Sequence, residues 1–126
     1  MVLMIRGVLL TATVLASACG GGASDPSPAP GPSTVTVTIT NGVASPRTFT
    51  VPRGGQVIFT NNDTVVHEMY SDPHPEHTDC PEFDSVGRLA SGQTRQTNNL
   101  ATARTCGFHD HLNAATSTLR GSVTIQ

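Results

Sequence analysis

The chain contains no tryptophan, one tyrosine and four phenylalanines, so a hydrophobic core has to be built mostly from Val, Ile, Leu and Phe. Lysine is absent too, and the seven basic residues are all arginines. Nine acids outnumber them, and seven of those nine (Asp63, Glu68, Asp72, Glu76, Asp79, Glu82, Asp84) fall in one stretch with no basic residue among them. That is the opposite of a nucleic-acid-binding surface. An acidic loop suits cations, whether metal ions or a basic protein partner, and serves equally as solvated polar surface. The apolar stretch from Val8 to Ala16 is broken by Thr11 and Thr13 and is too short to span a bilayer as a helix. No segment repeats apolar residues at helical spacing.

What is present begins with a leader. Arg6 supplies a short positive region, the apolar stretch follows, and small residues Ser17 and Ala18 precede Cys19. This predicts a signal peptide over residues 1–18 and acylation of Cys19, with a lipobox that has Ala16, beside Leu15, where Leu is usual. Ordinary cleavage nearby is the alternative. From Gly20 to Ser33 the chain is Gly, Ala, Ser and Pro with a single Asp25. Residues 19–33 are therefore expected to form a flexible tether, leaving one domain over residues 34–126. The expected location is the bacterial cell envelope, periplasmic or extracellular, with membrane contact only through the lipid.

Within that domain Thr34 to Thr40 alternates threonine with aliphatic residues, the period of a half-buried strand. Phe49 and Val51, then Val57 and Phe59, repeat the pattern on either side of the turn-like Pro52-Arg53-Gly54-Gly55. Further strands are expected over 64–70, 103–108 and 119–125, with a weaker candidate over 93–100. Short strands between Gly, Pro and Asn turns predict an all-β, two-sheet antiparallel Greek-key sandwich.

All five histidines lie between His67 and His111, together with Cys80 and Cys106. Imidazole and thiolate bind soft and borderline transition metals well, so the concentration predicts a metal site, copper first. His74, His77 and Cys80 recur every three residues among Pro73, Pro75 and Pro81. They read as a second zinc or copper site, as a flap over the main one, or as a Pro-rich loop with exposed histidines.

The segment from Gly55 to Asp63 (GQVIFTNND), followed by His67, the Cys106–His109 CxxH and the closing Gly-Ser-Val-Thr-Ile strand, resembles the cupredoxins. These are the plastocyanin- and azurin-like blue copper domains; here the likeness points to secreted bacterial lipoproteins that carry one. The resemblance implies a single copper ion held by His67, Cys106 and His109. Ala114 stands where such domains often place an axial methionine. Met69, two residues from His67 and on the same strand face, is a candidate axial ligand, and His111 a candidate additional one. With Cys19 acylated, Cys80 and Cys106 form an even pair in an oxidising compartment, the setting for a disulfide. A disulfide leaves no thiolate for copper, so the two arrangements exclude each other.

The resemblance implies a monomeric one-electron Cu(I)/Cu(II) carrier serving an unidentified redox partner protein, and not an enzyme. A His-rich copper-binding or delivery module with a Cys80–Cys106 disulfide is the second reading. A metal-free sandwich for adhesion or assembly is the third.

Overall fold

A computed structural model describes residues 33–126; the leader, Cys19 and the linker to residue 32 lie outside them. β1 (Thr34–Thr40) sends Val35, Val37 and Ile39 inward and its threonines outward. A turn at Asn41-Gly42 returns the chain as β2 (Val43–Ser45). β3 (Thr48–Val51) and β4 (Gln56–Asn61) flank the Pro52–Gly55 turn, and β4 buries Val57, Phe59 and Asn61. Then come β5 (His67–Ser71), β6 (Gly87–Leu89), β7 (Thr94–Gln96), β8 (Arg104–Asp110) and β9 (Arg120–Ile125). The only helical segments among the described residues are short 3₁₀ turns at Pro81–Ser85, His111–Asn113 and Ser117–Leu119.

The strands form two sheets, ordered β2-β1-β4-β7 and β3-β9-β8-β5-β6. Among the described residues five of the seven strand pairings are antiparallel, but β1–β4 and β3–β9 run parallel. The sandwich is thus mixed where an antiparallel one was expected. The reason is that the chain leaves the first sheet after β2, places β3 in the second, and returns to the first as β4 beside β1. The strand expected over 93–100 shrinks to Thr94–Gln96, with Leu100 making a single bridge to Gly55. Three-residue strands β2 and β6 have too little pattern to be read from sequence.

All four phenylalanines meet between the sheets. Phe108 lies 5.4 Å from Phe59, 6.2 Å from Phe49 and 6.3 Å from Phe83, ring centre to ring centre. Pairs of this kind each add about 0.5–1.5 kcal/mol beyond their buried area, and here they stand in for the missing tryptophan. Gly121, opposite Phe108 in the β8–β9 register, makes room for that ring: a Cβ there would sit 2.4 Å from it.

Cys80 and Cys106 are joined in a buried disulfide, tying the loop after β5 to β8. Their separation of 26 residues corresponds to about 3–4 kcal/mol on the chain-entropy model.

Candidate metal centre

Strand parity decides which histidines meet. In the β5–β8 ladder Tyr70 faces His109, while Met69 faces Asp110 and Ser71 faces Phe108. Directly paired residues share a face and neighbours along a strand alternate. Phe108, Met69, Ser71, His67 and Cys106 therefore look into the core, whereas His109 and Tyr70 look out the other side. Alternation would leave His109 on the surface, yet it is fully buried. The loop after β5 folds over it.

That loop is pinned at several points. Asp72 donates its N–H to the Gly107 carbonyl, and its own carbonyl accepts from the Asp79 N–H. The Ser71 hydroxyl donates to the His77 carbonyl and accepts from the Cys80 N–H. His77 donates its N–H to the Pro73 carbonyl at 2.7 Å and sits in the left-handed region at φ 55, a conformation that costs about 1 kcal/mol or more unless its surroundings hold it. Gly107 is needed here because a Cβ would lie 2.1 Å from an Asp72 carboxylate oxygen.

The result is a cluster of four imidazoles, His74, His77, His109 and His111, each offering a nitrogen within 4.8 Å of the others. His109 is buried, His77 and His111 are partly covered, and His74 is exposed. Tyr70 stacks on His77 at 4.5 Å and meets His111 edge-on at 5.6 Å. His111 Nδ1 and His77 Nε2 stand 3.1 Å apart.

His109 shows what the cluster is prepared for. Its Nδ1–H donates to Asp72 Oδ1 at 2.6 Å, which fixes the tautomer and leaves a lone pair on Nε2. That Nε2 is buried and is the only such side-chain atom without a hydrogen-bond partner among the described residues. A buried acceptor with no donor is costly, and a cation aimed at its lone pair removes the cost. Burial holds the His109 imidazole below its usual pKa despite the Asp72 carboxylate. Burial first, then repulsion from His109, His111 and His74, does the same to His77. Both stay neutral, as metal ligation requires. Four imidazoles fit copper, for which nitrogen donors have the highest affinity among divalent first-row metals.

The remaining predicted residues lie elsewhere. His67 is 2% exposed, and both its nitrogens are engaged, Nδ1 with Asp110 Oδ2 at 2.9 Å and Nε2 with Asp63 Oδ2 at 3.0 Å. Cys106 is three residues before His109 within one strand and so points to the opposite face, where its sulfur is bonded to Cys80. Of the two exclusive arrangements, the structure has the disulfide, and Cys106 carries no thiolate for copper. Cys80 likewise is withdrawn from the His74–His77 group. Met69 is wholly buried on the core face. Ala114 ends the short 3₁₀ turn after His111.

Two residues that sequence reasoning missed hold the site. Asp72 orients His109. Asp110, between His109 and His111, accepts from the Glu68 N–H at 2.8 Å and from Asn113 Nδ2 at 2.8 Å, and caps the turn at Leu112. A carboxylate adjoining a histidine-rich strand end was the one available signal for each.

No protein-family model matches this chain, and no curated protein matches it in sequence. Solved structures do. A mutant of amicyanin in its Cu(I) form superposes with a TM-score of 0.56 at 15% identity, over 74% of this chain and 82% of that one. A purple cupredoxin from Nitrosopumilus maritimus gives 0.55 at 18% identity, over 72% of this chain and 98% of that one. The domain has the cupredoxin fold.

Proposed function

We propose that this protein is a copper-binding module of the bacterial cell envelope that holds one copper ion through His74, His77, His109 and His111. The observation that carries this reading is the orphaned, buried Nε2 of His109, a member of a four-imidazole cluster. Bound copper would supply a one-electron couple between Cu(I) and Cu(II). The chain's own residues do the rest. Asp72 keeps the proton of His109 on Nδ1 and the lone pair of Nε2 directed at the cluster. Tyr70 backs His77 and His111, and the loop between Ser71 and Cys80 keeps bulk water off His109.

The disulfide suits an oxidising compartment, in keeping with the leader and lipid anchor expected from residues 1–19. The role is binding and carriage of the metal, with no substrate turned over. Electron transfer to a partner protein is the finer reading, supported by the fold shared with a Cu(I) amicyanin and a purple cupredoxin.

Titration of the oxidised, purified chain with Cu(II) tests the proposal. One ion per chain is expected, with nitrogen hyperfine structure in the electron paramagnetic resonance spectrum and only a faint visible band, because no thiolate is available. A free-thiol count at the disulfide should be zero. An intense blue or purple charge-transfer band would contradict the all-imidazole site. His109→Ala should lose tight binding, by at least about 100-fold, with the sandwich still folded.

A further inference from the structure

The four imidazoles are not held alike. His109 is buried, locked at Nδ1 by Asp72, and sits in the β5–β8 ladder opposite Tyr70. His111 follows directly on β8, where the Asp110 carboxylate clamps the chain at Leu112 and Asn113. His77 is stacked on Tyr70 and fixed through both its backbone N–H and its carbonyl. His74 has none of these anchors. It is the exposed member, it lies on the loop outside any strand, and no hydrogen bond reaches its ring among the described residues. Yet its ring centre is 4.7 Å from that of His111 and 5.3 Å from that of His109. It covers the cluster from the solvent side without being fastened there.

Resting on the copper reading above, we infer that His74 is the exchangeable ligand: three anchored imidazoles form the fixed floor of the site, and copper arrives and leaves through the position His74 occupies. The physical reason is the cost of letting go. Swinging His109 out would strip Asp72 of its partner and open a packed interior. Moving His77 would break its stacking and its backbone anchors. Releasing His74 exposes a ring already in water and gives up no protein hydrogen bond. Neutral imidazole, free in solution or on a histidine of an accepting protein, has the chemistry to take its place. The site is thereby suited to handing copper over by stepwise ligand exchange as well as to keeping it.

The experiment uses the full oxidised chain and three variants, His74→Ala, His109→Ala and His111→Ala, with circular dichroism confirming the fold of each. Equilibrium competition for Cu(II) is expected to show one ion per chain in His74→Ala with affinity reduced about 10-fold, against a loss of at least about 100-fold in the other two. Adding imidazole to copper-loaded His74→Ala should restore the unaltered paramagnetic resonance spectrum. In the unaltered chain, transfer of copper to an excess of EDTA should quicken with imidazole concentration. Free imidazole and a histidine-bearing acceptor are distinguished by repeating the transfer with a His-containing peptide, whose Ala counterpart should have no effect. Equal loss of affinity in His74→Ala and His109→Ala, or no rescue by imidazole, would overturn the inference and leave a rigid four-ligand site. Unchanged affinity and spectrum in His74→Ala would overturn it by showing that His74 is not a ligand. Failure of the unaltered chain to bind copper at all would overturn the proposed function itself, and this inference with it.

Discussion

His109 and His67 are both buried imidazoles beside carboxylates, and their difference lies in how many nitrogens are spoken for. Asp72 takes one nitrogen of His109 and leaves the other bare. Asp63 and Asp110 take both nitrogens of His67. The first arrangement prepares a ligand; the second makes a cross-brace. Asp72→Ala should therefore weaken copper binding about 10- to 100-fold with little change in stoichiometry, measured by competition against a chelator. His67→Ala should keep one copper per chain but lower unfolding stability by about 3 kcal/mol, since it leaves buried Asp110 without its imidazole partner. Urea melts together with copper titrations separate the two outcomes. Loss of stoichiometric copper in His67→Ala would restore it to the ligand set.

At the scale of elements, the decisive piece is the loop between β5 and the Pro81–Ser85 turn. It carries His74 and His77 but has no strand or helix of its own to place them. Its position comes from its ends: Asp72 on Gly107 at one side, and Cys80 bonded to Cys106 at the other. Arg104 secures the same corner, donating from Nε to Cys80 Sγ at 3.0 Å and from its terminal nitrogen to Glu82 at 2.6 Å. Replacing both cysteines by alanine should cost about 3–4 kcal/mol of stability, the loop-closure contribution of the bond. Copper affinity should fall as well, because His74 and His77 lose their tether while His109 on β8 and His111 directly after it stay in place. Unchanged affinity in a folded double variant would show that the backbone hydrogen bonds alone hold the loop.

Across the whole molecule, Asp63 joins what the two sheets keep apart. It lies in the crossing from β4 to β5, accepts from the backbone N–H groups of Asn41 and Gly42 at the β1–β2 turn, and meets His67 of the opposite sheet. Burial would raise its pKa, but the Gly42 N–H, the His67 ring and the Asn41 N–H outweigh that and hold it below the usual carboxylate value. A carboxylate depressed in the folded state stabilises the fold above its unfolded pKa of about 3.9 and loses that contribution as pH falls through the folded value. Stability should thus decline below about pH 4, and Asp63→Asn should flatten this acid limb in thermal melts recorded from neutral pH downward. An identical acid limb in the variant would place the effect on other carboxylates.

Much of this protein is determined by local pattern. Alternation in Thr34–Thr40, in Val57 and Phe59, and in Val123 and Ile125 settles which residues face the core, because a strand's side chains have a period of two whatever sheet it joins. The same alternation, with no helical periodicity to oppose it, specifies a β-sandwich, and the gathering of histidines and cysteines marks the stretch that carries the candidate metal centre. What only the tertiary structure decided is which members of that stretch share a face. Spacing within β8 sets Cys106 and His109 on opposite faces, but the β5–β8 register decides that His67 shares the inward face with Cys106 and Tyr70 the outward face with His109, a relation between strands that no single segment encodes. The Cys80–Cys106 bond then draws His74 and His77 over the outward face, and the loop they occupy, with no pattern of its own, becomes half of the site.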